Sequence, residues 1–338
     1  MTVLIVASEV DPHLPSVEHE LERRGARWTF LNMNRLHRWG ISVALDRRAA
    51  LRGTVRTGQG ITPLKDIESV WAPSPLPEAS LRGISVLEKA VIESEWLSTV
   101  QNLYYLTSDR TWVNPLDAEM LGSSKLVQLR IAHDVGFEIP PTIVTTEREE
   151  FAAFADQFPS GVASKRVGGL PGLIAVPRRV RRRRAYFTRR LSSQDMTPEV
   201  LSRLHYCPTQ LQEYVPKSTE WRIYVVGDKV FGAEILSQLE DETVTDWRRY
   251  PVRYTADGSP ELDSDRWRCH PLRLPLTFAD RCRRLARKLR LPYTAMDFVR
   301  TPDGRLVFLE ANFGGTFAWI EDLTHLPMSA AMADLLLA

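Results

Sequence analysis

The sequence predicts a mixed α/β fold, parallel at its start and antiparallel (α+β) at its end, and three observations carry this. The chain opens on Thr2-Val3-Leu4-Ile5-Val6-Ala7, an apolar, largely β-branched run of the kind buried inside a parallel sheet. A helical pattern and a second strand-like run follow it, which makes a βαβ unit. From Leu211 onward the pattern changes to short strands joined by tight turns, the signature of an antiparallel sheet.

In chain order, Val17, Leu21 and Arg24 share one helical face, Gly25 supplies a stop, and Trp28 to Leu31 reads as the next strand. No G-x-G-x-x-G joins the first strand to its helix, so this unit is scaffold rather than a dinucleotide site. Ser69-Val70-Trp71 ends another strand, and the three prolines of Ala72-Pro73-Ser74-Pro75-Leu76-Pro77 make an extended linker. Helices are expected over Ile84 to Leu103 and, past a break at Asn114-Pro115, over Ser123 to His133. Ile139 to Val144 reads as a strand, Glu147 to Phe158 as a helix, and 161–210 as a less regular stretch. Strands follow at Leu211 to Val215, Arg222 to Val226 and Lys229 to Ile235, the last two joined by Gly227-Asp228. Ala279 to Arg290 is amphipathic, with Cys282, Leu285, Ala286 and Leu289 inside and arginines outside. A final hairpin and a short helix close the chain. These breaks divide it into 1–116, 117–210 and 211–338.

Composition narrows the class of function. With 338 residues, 43% hydrophobic and 25% charged, the chain can bury two or three packed units. Its 44 Lys+Arg against 42 Asp+Glu leave a formal charge of +2, which argues against a polyanionic partner such as nucleic acid. No apolar run approaches a membrane span and no secretory signal opens the chain, so a cytoplasmic protein is expected. Cys207, Cys269 and Cys282 lack C-x-x-C spacing, which disfavours a zinc site or a disulfide framework.

The segment Asp297 to Asn312 is the most informative. Two apolar strands flank Asp303-Gly304, a two-residue hairpin signal. If Pro302 faces Arg305, counting outward sets Asp297 opposite Glu310, and Asn312 shares Glu310's face by strand alternation. Facing carboxylates in apolar surroundings repel each other, and a cation resolves the conflict. Two carboxylates and an amide oxygen suit Mg²⁺. The same spacing also fits a solvated hairpin with scattered acids.

Gln212-Glu213-Tyr214-Val215 is strand-like, with backbone groups able to meet an adenine edge, and Glu220 beyond it can accept ribose hydroxyls. An ordinary edge strand with a salt bridge fits the same residues. Lys125 and Lys165 are candidate phosphate ligands, the latter ahead of Gly168-Gly169, where exposed N–H groups can approach a phosphate.

Together these pieces resemble the ATP-grasp superfamily, in the order lysine, lysine-glycine loop, Gln-Glu hinge, then Asp and Glu-x-Asn. More narrowly, Trp112-Val113-Asn114-Pro115, Lys125 with Gln128-Leu129, Pro140 to Thr142, Glu220-Trp-Arg222, Asp246-Trp-Arg248 and Glu310-Ala-Asn312 resemble the microviridin-type maturases that cross-link graspetides. The resemblance covers nearly the whole chain. It implies a pre-ATP-grasp domain over 1–116, a central ATP-grasp subdomain over 117–210 and a C-terminal one over 211–338. It further implies that Lys125 and Lys165 contact ATP phosphates, that Gln212, Glu213, Tyr214 and Val215 form the adenine hinge, and that Glu220 holds the ribose. Asp297, Glu310 and Asn312 would be ligands of two Mg²⁺ ions, with Arg222 and Arg248 beside the γ-phosphate or the activated carboxylate. The implied chemistry phosphorylates a side-chain carboxylate of a precursor peptide, after which a Ser/Thr hydroxyl or Lys amine displaces phosphate. Related ligases also imply a homodimer. Three positions depart from the pattern: Phe313 and Arg166 stand where proline is usual, and Ala72 where arginine is usual. None is a required oxygen ligand or phosphate cation.

Six arginines lie in the seven positions from Arg178 to Arg184. They read as a solvated face or as a docking surface for an acidic precursor peptide, a role the 236–262 region could share; few aromatics are interleaved for nucleic-acid stacking. The rival readings are a RimK-like or dipeptide-type ligase acting on small molecules or a protein tail, and a nucleotide-binding scaffold without chemistry.

Overall fold

The computed structural model describes residues 2–73, 83–167, 187–249, 252–254, 260–262 and 268–338. The arginine run at 178–184, Gly168-Gly169 and the linker positions Ser74 to Pro77 lie outside the described residues.

The apolar opening run forms β1 (Thr2–Ala7), buried along its whole length between parallel neighbours. Helix α1 (Leu14–Arg23) returns the chain to β2 (Arg27–Asn32). A three-stranded antiparallel meander, β3 (Gly40–Leu45), β4 (Leu51–Thr57) and β5 (Gly60–Pro63), follows, and nothing in the sequence reading anticipated it. β6 (Ser69–Trp71), α2 (Val86–Leu106) and β7 (Thr111–Val113) complete a parallel sheet of order β2-β1-β6-β7. Strand alternation divides its core. Val3 and Ile5 pack against Val17 and Leu21 of α1 and against the C-terminal helix, whereas Leu4 and Val6 pack against Val55, Val100 and Trp112.

The helix expected over Ser123 to His133 is α4 (Lys125–Asp134), and a further helix, α3 (Leu116–Ser123), precedes it directly after Pro115. Next come β8 (Thr142–Thr145), α5 (Arg148–Asp156), β9 (Val162–Lys165), β10 (Arg189–Leu191), α6 (Pro198–Leu204) and β11 (Thr209–Glu213). The stretch read as less regular thus contributes β9, β10 and part of β11 to a sheet of order β10-β9-β11-β8. Val162 and Leu211 face Phe151 and Ala155 of α5, which leaves Lys165, Gln210 and Gln212 on the opposite face.

The largest sheet has the order β16-β13-β12-β17-β18. It is built from β12 (Thr219–Val226), β13 (Lys229–Ile235), β16 (Cys269–Pro271), β17 (Tyr293–Arg300) and β18 (Leu306–Asn312), and a separate short pair is formed by β14 (Val252–Tyr254) and β15 (Pro260–Leu262). One face of this sheet is apolar. Ile223, Val225, Met296, Phe298 and Phe308 meet Phe278, Cys282 and Leu285 of α7 (Leu276–Lys288) and Leu129 and Ala132 of α4. Burying each large apolar side chain contributes roughly 1.5–3 kcal/mol, which pins the sheet to these helices. Alternation sends Arg222, Tyr224, Asp297 and Glu310 to the other face. Helices α8 (Ala318–Thr324) and α9 (Met328–Leu336) close the chain, with Met328, Met332 and Leu336 in the same core as Val3 and Ile5. Among the described residues no helix is long and apolar enough to cross a membrane.

Candidate active site

Asp297 and Glu310 face each other across β17 and β18, as the sequence predicted, by a different route. The hairpin closes between Thr301 and Arg305, with the Thr301 N–H donating to the Arg305 carbonyl at 2.9 Å. The turn is therefore three residues, Pro302 to Gly304, and Gly304 takes the left-handed φ of 87° that such a loop needs. Near the turn Arg300 faces Leu306 and Val299 faces Val307, which extrapolates to Asp297 facing Leu309. The register shifts between Asp297 and Phe298, leaving Leu309 as an extra residue, and beyond it Asp297 faces Glu310, Met296 faces Ala311 and Ala295 faces Asn312. A bulge of this kind re-aims side chains beside functional sites; here it turns Glu310 to the face that carries Asp297.

Asn312 joins the two acids. Its Nδ2 donates to Asp297 Oδ2 at 2.9 Å and to Glu310 Oε1 at 3.3 Å, so all three side chains share one point. The charge conflict between the acids is met by side-chain cations. Arg222 Nη1 lies 2.8 and 2.7 Å from the two Asp297 oxygens, and Lys125 Nζ lies 2.8 Å from Glu310 Oε2. Arg222 is further held by the Tyr224 hydroxyl at 3.2 Å and lies 5.2 Å from the Trp247 ring centre. Gly315 is required beside it, since a Cβ there would sit 2.7 Å from Arg222 Nη2 and 2.4 Å from Ala295 Cβ.

These contacts set the protonation states. Burial raises the Asp297 carboxyl, Arg222 offsets part of that, and the Glu310 charge adds to it. Burial opposes ionisation of Glu310 too, but Lys125, then Lys165, and also Arg248 hold its carboxyl well below the usual carboxylate range. Lys165 is pushed down to about 8 by burial, with Glu310 opposing and Lys125 adding to the fall. Its ammonium donates to Gln212 Oε1 at 2.6 Å, and Gln212 Nε2 donates to Thr142 Oγ1 at 3.0 Å. Arg248 is anchored by Asp246, whose Oδ1 accepts from Nε at 2.8 Å, and this partner raises the guanidinium further.

The donor set fits Mg²⁺. Among the described residues no three His, Cys, Asp or Glu side chains gather as a metal site, so Asn312 must complete the set. Rotating its amide brings Oδ1 to the place of Nδ2, which gives three oxygen donors, one from a firmly ionised carboxylate. The Asp297 oxygens keep lone pairs beyond those that Arg222 engages.

The remaining predicted residues make contacts of their own. The Glu213 N–H donates to Pro141 O at 2.9 Å and the Tyr214 N–H to Gly161 O at 3.1 Å, so both are spent inside the protein. Val215 is buried against Val299 and Val307. Glu220 is buried and its Oε1 accepts from Lys217 Nζ at 2.7 Å, a partner that the sequence reading missed. Burial pushes the Glu220 carboxyl up, with Lys217 opposing. The spacing of Lys217 and Glu220 just after Pro216 was the available signal.

No protein-family model and no curated protein matches the chain. Solved structures do. The macrocyclase MdnC of Microcystis aeruginosa MRC, solved with its precursor peptide MdnA, superposes with a TM-score of 0.79 at 26% identity, covering 100% of this chain and 99% of that one. The chain is an ATP-grasp protein, similar along its whole length to such a peptide macrocyclase. A RiPP-associated ATP-grasp ligase of Chryseobacterium gregarium, solved with ADP and a leader and core peptide, superposes at 0.76 with 25% identity, covering 99% and 96%. A RimK-domain ATP-grasp protein of Sphaerobacter thermophilus reaches only 0.55 at 14% identity, a likeness of fold alone. Within this ATP-grasp protein the cations and oxygen donors above come from α4, the sheets of β9 and of β17-β18, and the segment around Asp246.

Proposed function

We propose that the chain is an ATP-dependent ligase that phosphorylates Asp or Glu side-chain carboxylates of a ribosomal precursor peptide and joins them to Ser, Thr or Lys side chains. One observation carries this: Lys125, Lys165, Arg222 and Arg248 surround the Asp297-Glu310-Asn312 triad. That many cations around so few donors suits a polyphosphate. The two structures at TM-scores of 0.79 and 0.76 are those of enzymes solved with peptides, one of them also with ADP.

In this reading the backbone of Glu213 to Val215 and the Glu220 carboxylate seat the nucleoside, and Gln212 steadies Lys165 for the phosphates. Asp297, Glu310 and Asn312 would hold Mg²⁺, two ions in our reading, which neutralises phosphate charge when bound. Lys125 lies over Glu310 and so reaches the same phosphates. Arg222 and Arg248, fixed by Asp297 and Asp246, face the position where charge develops during transfer; being pre-oriented, they need not reorganise. A peptide carboxylate oxygen takes the γ-phosphoryl group and ADP leaves. The hydroxyl or amine then attacks the acyl carbon, the acyl–phosphate bond breaks, and phosphate departs as the nucleophile loses its proton. An ω-ester or ω-amide results.

We assign 1–116, 117–210 and 211–338 to the pre-ATP-grasp, central and C-terminal units, and the active form to a homodimer. Peptide docking we assign to the arginines at 178–184 or to 236–262, the segment that supplies Asp246 and Arg248. Charge reversal at 178–184 is expected to weaken peptide affinity at low salt with ATP binding unchanged, as a titration of each would measure; unchanged peptide affinity removes that segment from the reading.

A further inference from the structure

Two buried side-chain amides grip the backbone on both sides of Asn312. Gln128, 2% exposed, donates from Nε2 to the Ala311 carbonyl at 2.8 Å and accepts the Ala311 N–H on Oε1 at 2.8 Å. Its Nε2 also donates to the Gly122 carbonyl. Asn114, 4% exposed, donates from Nδ2 to the Phe313 carbonyl at 2.8 Å and accepts the Tyr293 N–H on Oδ1 at 3.0 Å. An amide that donates and accepts at one residue does what a neighbouring strand would do. Among the described strands β18 is the edge of its sheet, and beyond the single bridge of Glu138 to Val307 none of them does it.

The need for such a clamp arises from the bulge. The extra residue Leu309 interrupts the ladder immediately before Glu310, so the stretch Glu310 to Asn312 pairs with β17 in a register of its own, cut off from that of the rest of β18. Lys125 and Gln128 stand three residues apart on α4 and share a helix face. Lys125 meets the Glu310 side chain while Gln128 meets the next residue's backbone, so a single helix fixes both.

We propose that Gln128, assisted by Asn114, is a positioning residue that holds the bulged end of β18 so that Glu310 and Asn312 converge with Asp297. The proposal rests on the reading of that triad as the Mg²⁺ site. Neither amide touches the triad's side-chain oxygens; both act through the backbone of Ala311 and Phe313.

The test is Gln128→Met, which keeps length and approximate volume and removes all three hydrogen bonds. Calorimetry measures ADP binding with Mg²⁺ and with a chelator, and a melting curve reports folding. The expected result is a folded protein whose metal-free ADP affinity matches the unaltered chain, while the gain in affinity on adding Mg²⁺ falls about tenfold or more, as happens when a group that orients metal ligands is lost. The Mg²⁺ concentration that half-saturates ADP release should rise in parallel. A role in stability alone would leave the Mg²⁺-dependent gain unchanged, and that result overturns the proposal. Gln128→Glu, which keeps only the acceptor for the Ala311 N–H, should fall between the two. Should Gln128→Met fail to fold, Asn114→Asp decides by the same two outcomes, since it loses the Phe313 bond and keeps the Tyr293 one. An unaltered chain that binds ADP without any Mg²⁺ dependence would instead refute the functional reading beneath the proposal.

Discussion

Replacing Asp297 by Asn and Glu310 by Gln in parallel tests both the stability of the cluster and its chemistry. Asp297 and Arg222 form a bidentate pair at 2.8 and 2.7 Å whose side chains are 11% and 6% exposed. Removing one partner of a buried pair strands the other charge, at a cost of about 3–5 kcal/mol. Arg222 would keep the Tyr224 hydroxyl and the Trp247 ring, which sets the expectation near the lower end. At roughly 2–4 °C per kcal/mol for chains of some 150–250 residues, somewhat less for a longer one, the melting temperature should drop by about 6 °C. The Lys125–Glu310 pair is about a fifth exposed on each side, and water can resolvate Lys125. The Glu310 charge also faces Lys165 and Arg248, so Glu310→Gln should still cost about 3 kcal/mol. Both variants lose an oxygen donor of the triad, so ADP release should fall by at least about 100-fold in each. Melting curves beside a coupled ADP assay give the answer. The reasoning is refuted if either variant melts like the unaltered chain.

Gly315→Ala should fold with a loss of about 1–3 kcal/mol and much reduced ADP release, because the added Cβ meets Ala295 Cβ at 2.4 Å and Arg222 Nη2 at 2.7 Å; stability and activity both unaffected would contradict the close approach. Lys165→Met should weaken ATP affinity by about tenfold or more in a binding titration, since its ammonium is directed by Gln212 into the same field as Glu310. Burial raises the Glu119 carboxyl to about 8, so its contribution to stability is fully present below its ordinary value near 4.5 and is lost as pH rises through about 8. Glu119→Gln should accordingly melt like the unaltered chain at acid pH and be more stable by roughly 2–4 kcal/mol above pH 8, which paired melting curves at both pH values check.

The elements that the sequence announces are those in which local pattern and burial agree. Thr2–Ala7 is apolar on both faces because helices cover both, and the Gly227-Asp228 turn joins the two strands expected around it. The facing of Asp297 and Glu310 was reached from a two-residue turn, and it holds because a three-residue turn and a bulge at Leu309 compensate each other. A single extra strand residue changes neither composition nor alternation enough to be read. The meander over 40–63 escaped notice because its strands are half exposed and weakly patterned. The helix at Leu116–Ser123 was hidden behind Pro115, which signals a break and equally suits a helix start. Side-chain partners far apart in sequence, such as Gln128 with Ala311 and Asn114 with Phe313, need the fold itself before they can be seen.

The central claim is tested most directly by incubating the protein with ATP, Mg²⁺ and short Thr/Asp/Glu-rich candidate precursor peptides, following ADP and peptide mass together. The account predicts ADP release that depends on the peptide, with one water lost from the peptide per bond formed, and neither with Glu310→Gln. ADP release driven by free amino acids or amines, with every peptide mass unchanged, would contradict it and favour a small-molecule ligase.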